Sequence, residues 1–122
     1  MIGPFASALV ALSFLALGAG ACVAPGKLAE NYGFPSDDPT VHAYVRSLGA
    51  RDAVLGLLLL TFLRSNDRSA LRATVGLSAL AGASDFAIVS TARGLAAPGS
   101  LAIHGFGTIG LLVVWKFLRS DV

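Results

Sequence analysis

Four apolar stretches, each about as long as a bilayer core is thick, constrain this chain more than any other feature. A helix rises about 1.5 Å per residue, so about 20 apolar residues cross the hydrocarbon region. The stretches cover about residues 2–23, 41–63, 70–91 and 101–118, with short polar segments between them. The pattern predicts an all-α fold, an integral membrane four-helix bundle that forms a single domain over residues 1–122.

The composition supports a membrane protein and excludes several function classes. Hydrophobic residues make up 55% of the chain and charged residues 13%, against about 25% charged residues in an average soluble domain. The net charge of +2 is scattered, and without a basic cluster nucleic acid is not an expected partner. The single cysteine, Cys22, allows neither an internal disulfide nor a Cys-based metal site. No phosphate loop, dinucleotide fingerprint or Ser nucleophile elbow occurs, so we expect no cofactor and no metal.

Local signals predict where the helices begin. Asp38 followed by Pro39 is typical of a helix N-cap and a first helical residue. The connection before it contains a candidate short helical turn at Lys27–Asn31. Ser69 and Ser100 precede the third and fourth apolar stretches, and we expect each to cap its helix.

The distribution of basic residues predicts the orientation in the membrane. Cytoplasmic loops of membrane proteins carry an excess of Lys and Arg. Four spans place both termini and the central loop on one side, and that side has more positive charge than the other. We therefore expect the termini in the cytoplasm. The basic residues of the first side are Arg64, Arg68, Arg72, Lys116 and Arg119, and those of the other are Lys27, Arg46 and Arg93.

Polar residues on three different helices are predicted to share one layer near the middle of the membrane. Measured from the cytoplasmic helix ends at 1.5 Å per residue, Asp52, Asp85 and His104 lie at depths of about 16, 18 and 21 Å. Arg51 adjoins Asp52. Ionisable residues at such depths are energetically costly and commonly functional. The shared layer predicts a polar site inside the bundle.

This set of side chains favours acid–base chemistry. We expect Asp52 to stay ionised beside a cation and act as the base, and the more desolvated Asp85 to carry a proton and act as the acid. Arg51 would orient these groups, and a neutral His104 would contact a substrate oxygen.

Three further polar residues are candidates for contact with substrate. Ser78 shares a helix face with the predicted acid, and Thr108 shares one with the predicted histidine. Tyr44 is expected at the mouth of the site, two turns before the predicted base.

Other roles remain open at this stage. Arg51 could form an ion pair with Asp52 or Asp85 that only holds helices in register, and since adjacent helical residues point about 100° apart, Asp85 is the better partner. The size and span count also fit a small proton-coupled transporter working as a homodimer, although the first span has no charge. A non-catalytic assembly or lipid-binding subunit is a third alternative.

The residues also suggest a family. The stretch Gly49–Asp52 with Leu55–Gly56, then Asp85 in the third span and His104 early in the fourth, resembles small four-helix membrane proteins of fungal genomes. Some of those lie in natural-product pathways with non-redox steps such as epoxide opening, cyclisation or isomerisation. The resemblance implies an acid–base active site at these residues and Arg51, a lipophilic small-molecule substrate, and a multi-pass membrane location, in the endoplasmic reticulum if the source is eukaryotic. Its chemistry is similar to that of soluble limonene-type epoxide hydrolases, in which one Asp activates water and another protonates the epoxide oxygen.

Overall fold

The computed structural model describes residues 2–120, with side chains up to Leu118, and this part of the chain is helical without strands. Four long helices contain the predicted apolar stretches. A short helix follows the first of them, and a 3-10 turn follows the third. In chain order the elements are α1 (Ile2–Val23), α2 (Pro25–Asn31), α3 (Pro39–Arg64), α4 (Arg68–Arg93), the turn Gly94–Ala96 and α5 (Pro98–Ser120).

Two of the local predictions are confirmed. The Asp38 carboxylate accepts a hydrogen bond of 2.7 Å from the Thr40 N–H, and Pro39 is the first residue of α3. The short helical turn predicted at Lys27–Asn31 is the body of α2, which begins two residues earlier at Pro25.

The two predicted serine caps are wrong. The cap of α4 is Asp67, whose carboxylate accepts a 2.9 Å hydrogen bond from the Ala70 N–H, and Ser69 lies inside the helix. An acidic side chain two residues earlier satisfies the free N–H groups first. In the last helix, Pro98 is the first residue and Ser100 is the third. Proline suits a first helical position because its ring fixes φ and no N–H is left unpaired there.

Helices α1 and α3 are antiparallel and pack closely through small residues. A Cβ atom on Gly18 would lie 2.7 Å from the Gly49 carbonyl oxygen, and one on Gly56 would lie 2.8 Å from the Ala11 carbonyl oxygen. A Cβ atom on Gly49 would overlap the Ala21 side chain. Small residues let helix backbones approach closely where lipid supplies no hydrophobic force between helices.

Helices α4 and α5 form a second antiparallel pair with larger side chains at the contact. A Cβ atom on Gly82 would lie 2.6 Å from the Thr108 hydroxyl, and one on Gly76 would lie 2.9 Å from the Trp115 ring nitrogen. The Arg72 guanidinium lies 4.5 Å from the centre of the Trp115 ring, a distance typical of a cation–π contact. The two pairs touch each other less extensively than the helices within each pair.

Apolar clusters occupy the two ends of the bundle. The first joins α1, α3, α4 and α5 near the α3–α4 loop and is formed by Ala11, Leu59, Leu71, Val75 and Leu118. The second lies where α2 covers α1 and α3 and is formed by Ala21, Leu28, Ala29 and Val45. The level of Asp52 lies between these clusters along α3.

Three helices within residues 2–120 are long and apolar enough to cross a membrane: α1, α4 with its 3-10 turn, and α5 up to Leu118. Helix α3, with 26 residues, is not among them, because Arg46, Arg51, Asp52 and Arg64 put at least three charged residues into every 18-residue stretch of it. Large apolar side chains cover the outside of the bundle, as lipid contact requires. The side chain of Arg119, one of the basic residues from which the orientation is predicted, lies outside the described residues.

A glycine-to-alanine pair tests the close packing of α1 on α3. Gly49→Ala should lower the free energy of unfolding by about 1–3 kcal/mol, because its methyl group overlaps Ala21 in a packed contact. Gly110→Ala makes the same chemical change where no atom lies within 4 Å, and should leave stability unchanged or higher because Ala favours helix. Thermal unfolding in detergent measures both variants. Equal stability of the two would contradict the described packing.

Candidate functional site

Tyr32, the residue after α2, is the centre of the polar contacts inside the bundle. Its phenol donates a hydrogen bond of 3.3 Å to the Asp52 carboxylate on α3. Its ring lies 6.1 Å from the His104 ring on α5, tilted by 31°. Asp85 on α4 is near enough to act electrostatically on both Tyr32 and Asp52. These four residues, called the Tyr32 cluster below, bring together three predicted site residues and one that the sequence did not indicate.

The end of α2 fixes the position of Tyr32. The next residue, Gly33, has a φ of +94°, a conformation that glycine adopts without strain. The Gly33 N–H bonds to the Glu30 carbonyl at 3.0 Å, and the Phe34 N–H bonds to the Ala29 carbonyl at 2.9 Å. This pair of bonds is a Schellman motif, a common helix stop. The Tyr-Gly pair is a sequence signal for this helix stop, but it does not indicate the direction of the Tyr32 side chain.

Asp52 lies on the packed face of α3. It is 9% exposed and shares this face with Gly49 and Gly56, which contact α1. The bond from Tyr32 reaches its Oδ2 atom. A buried carboxylate needs such a donor because desolvation without a partner is costly. The second carboxylate oxygen, Oδ1, accepts no hydrogen bond from a described residue and can bind a ligand.

Burial and neighbouring negative charge raise the pKa of Tyr32. Burial is the largest cause, followed by the charge of Asp52, the hydrogen bond to Asp52 and the charge of Asp85, and together these bring the pKa to about 12. Arg51 acts in the opposite direction. The phenol therefore remains protonated at neutral pH and serves as a hydrogen-bond donor.

Within the described residues, Arg51 forms neither of the ion pairs that the sequence left open. Arg51 is exposed on the outer side of α3, and among the described residues no nitrogen of Arg51 lies within 4.0 Å of a carboxylate oxygen of Asp52 or Asp85. The cause is the helix geometry, since adjacent residues point about 100° apart and Asp52 takes the inward direction. Arg51 still acts electrostatically on Asp52 and Tyr32 across a longer distance.

His104 contributes an unused ring nitrogen to the cluster. Its Nε2 atom is buried and has no hydrogen-bond partner among the described residues. Buried polar atoms in native proteins are nearly always paired, so each exception calls for an explanation. A bound substrate oxygen or water at Nε2 would supply that missing partner.

The three residues predicted to contact substrate lie outside this group of contacts. Tyr44 is 71% exposed, because its neighbour Val45 takes the buried face of α3. The Ser78 hydroxyl donates to the Thr74 carbonyl at 2.9 Å. The Thr108 hydroxyl donates to the His104 carbonyl at 2.7 Å. The structure thus does not bring Tyr44 to the mouth of the site, and it commits the hydroxyl protons of Ser78 and Thr108 to their own helices.

A cavity of about 330 Å³ opens beside the cluster, at the end of the bundle that α2 covers. The α2 turn, the 3-10 turn and the start of α5 form its walls, and Arg93, Ser100 and Ile103 are among the lining residues. Ser100 stands one helical turn before His104. Within the described part of the chain, no three His, Cys, Asp or Glu side chains are placed to hold a metal ion.

The fold and the Tyr32 cluster define a class of protein that is small and all-helical, with apolar outer faces and a cluster of polar side chains between two helix pairs. Within that class, the chain belongs to the family described as Domain of unknown function (DUF4267), whose model matches residues 11–119. The match includes every residue of the Tyr32 cluster. No curated protein matches the chain significantly. No solved structure does so either.

Alkaline titration tests the environment of Tyr32. Its pKa rises from 10.0 to about 12 in the folded protein, so the stability linked to its protonated form is fully present below pH 10 and is lost as the pH rises from 10 to 12. Tyrosinate absorbance should show a component near pH 12 that Tyr32→Phe removes and Tyr44→Phe retains. Unfolding measured from pH 9 to 12 should also become less pH-dependent in Tyr32→Phe. A high-pH component that persists in Tyr32→Phe would contradict the assignment.

Proposed function

We propose that this protein is a membrane-embedded enzyme that performs cofactor-free acid–base chemistry on a lipophilic small molecule. Epoxide hydrolysis is the reaction that we place first, ahead of cyclisation and isomerisation. The observation that carries the proposal is the buried Asp52 carboxylate, bonded to a protonated Tyr32 and close to an unpartnered His104 nitrogen. A carboxylate base, a phenol donor and a free imidazole nitrogen in one apolar setting suit proton transfer better than helix packing alone.

The chemistry of epoxide opening assigns a role to each group. Asp52 takes a proton from a water molecule through its free Oδ1 atom while Tyr32 holds Oδ2 in place. The water oxygen attacks one epoxide carbon, the carbon–oxygen bond breaks, and Asp85, in the role of the acid, supplies the proton that the leaving oxygen needs. The product is a diol, and the proton on Asp52 returns to Asp85 before the next cycle. His104 Nε2 donates to or accepts from the substrate oxygen.

The same proposal includes a membrane arrangement. Helix α3 would be the fourth span, with its charged residues tolerated because Asp52 faces the bundle interior and Arg46 and Arg64 lie near the helix ends. The excess of basic residues at the α3–α4 end would place that end and both termini in the cytoplasm. Substrate would then reach the Tyr32 cluster from the lipid or from the side that α2 covers.

Carboxamide variants test the catalytic assignment. Asp52→Asn and Asp85→Asn should each lower kcat/KM by at least about 100-fold on an epoxide substrate, because they remove the base and the acid. Turnover of a panel of lipophilic epoxides in ¹⁸O-labelled water should place one label in each diol. Asp37→Asn, in the loop before α3, removes the same charge away from the cluster and should retain activity.

Two outcomes would contradict the proposal. Full turnover by either cluster variant in folded protein would remove that residue from the mechanism. If no epoxide is turned over and the Asp85→Leu variant also replaces the wild-type protein in the cell without loss of function, the cluster is only a structural contact between the helix pairs.

The Tyr32 contact makes a separate prediction about activity. Tyr32→Phe keeps the ring next to His104 and removes only the hydrogen bond to Asp52, so Asp52 loses its orientation. We expect kcat to fall by about 10- to 100-fold, the range of one oriented donor to a reacting group, with KM little changed. Steady-state kinetics compare it with Tyr44→Phe, whose ring is exposed. A rise in KM at unchanged kcat would make Tyr32 a substrate-binding residue and not an orienting one.

A further inference from the structure

The cavity beside the cluster has the features of an anion-binding site. It lies where α5 begins, and the first hydrogen bond within that helix runs from the Leu101 N–H to the Ala97 carbonyl at 3.0 Å. The N–H groups of Gly99 and Ser100 therefore have no carbonyl partner among the described residues, and Pro98 has no N–H. Free N–H groups at a helix start bind anions, aided by the helix dipole. Gly99 lines the cavity, and outside its own turn no atom lies within 4 Å of a Cβ placed on it.

A second, independent observation points to a ligand. Ser100 lines the cavity and is 5% exposed, and its hydroxyl oxygen is buried without a hydrogen-bond partner among the described residues. A buried hydroxyl without a partner destabilises the protein. Gly33, the left-handed residue at the end of α2, lies against this hydroxyl, and a Cβ there would come within 2.8 Å of it. The turn after α2 thus packs against the hydroxyl without giving it a hydrogen bond.

The charges around the cavity favour an anion. Arg93, at the end of α4, lines it and forms no ion pair with a described residue. Glu30 also lines the cavity, but its carboxylate is paired with Lys27 at 2.8 Å. The uncompensated charge at the cavity is therefore positive. A guanidinium, two backbone N–H groups and a hydroxyl are the donors that phosphate oxygens accept from in proteins.

Exposed apolar side chains neighbour the lining residues of the cavity along the chain. Ile103, which lines it, is 50% exposed, Leu95 is 90% exposed and Phe106 is 75% exposed. An acyl chain that leaves a phosphate at the start of α5 would lie on these side chains. We propose that this cavity binds a phosphate group through Arg93 and the start of α5, either as a lipid headgroup or as a free phosphate compound.

Binding measurements test the proposal without reference to catalysis. The full chain in uncharged maltoside micelles is titrated calorimetrically with inorganic phosphate, with dioctanoyl phosphatidic acid and with dioctanoylglycerol, which has the same chains and no phosphate. Saturable binding of inorganic phosphate would show that a phosphate group without a lipid tail is sufficient for binding. Saturation with phosphatidic acid alone would identify a lipid headgroup. Failure of both phosphate probes to saturate, or equal binding of dioctanoylglycerol, would overturn the proposal.

Variants locate the site. Arg93→Gln should weaken binding of the phosphate probe at least 10-fold, and Arg93→Lys, which keeps the charge, by less. Ser100→Ala should weaken binding about 3- to 10-fold, yet its melting temperature without ligand should equal or exceed that of the wild type, since it removes an unpaired buried hydroxyl. Arg46→Gln, the same charge change on an exposed side chain outside the cavity, should leave affinity within 2-fold. Equal losses in Arg46→Gln and Arg93→Gln would show general attraction to charge and reject the site.

Discussion

The hydrogen bond from Tyr32 to Asp52 is the interaction on which the polar interior depends. Asp52 is a carboxylate on the face of α3 that packs against α1, and the neighbouring Arg51 points outward and does not neutralise it at contact distance. The phenol is the partner that the described residues provide. Because the donor comes from the residue after α2, that short helix must fold back over the end of the bundle. The helix stop at Gly33 and the apolar cluster where α2 covers α1 and α3 both hold α2 in this position.

The two helix pairs supply different parts of the same cluster. The α1–α3 pair is held by backbone contacts at Gly18, Gly49 and Gly56, which allow little sliding without a clash. It carries Asp52, whereas the α4–α5 pair carries Asp85 and His104. Since the pairs touch each other less than the helices within them do, the distances across the cluster depend on how the pairs sit together. Tyr32 contacts residues of both pairs, so a change in its position would alter both sides of the site.

The sequence predicted those features that arise from local or periodic rules. Four apolar stretches gave four long helices, and Asp38 capped its helix as its type and position indicated. Predictions that needed a choice between neighbouring alternatives were less successful: Asp67 displaced Ser69 as a cap, and Arg51 turned outward because Asp52 turned inward. Tyr32 was missed because a tyrosine in a loop is usually an interfacial residue, and only its tertiary contacts distinguish it. Whether the shared depth of the polar residues makes a catalytic site stays a prediction.

The polarity of the bundle is asymmetric along its axis, and this restricts how a ligand could reach the cluster. Toward the α3–α4 loop, an apolar cluster that includes Leu59, Val75 and Leu118 fills the space between all four long helices. Toward α2, His104 and Ser100 lie one turn of α5 apart, each has a buried polar atom without a hydrogen-bond partner among the described residues, and Ser100 lines the cavity. A molecule with an anionic end and an apolar body could therefore place its charge at the start of α5 and its body toward the Tyr32 cluster or the lipid. Because none of the four residues of the Tyr32 cluster lines the cavity, an anion held at the start of α5 does not by itself contact the proposed catalytic groups.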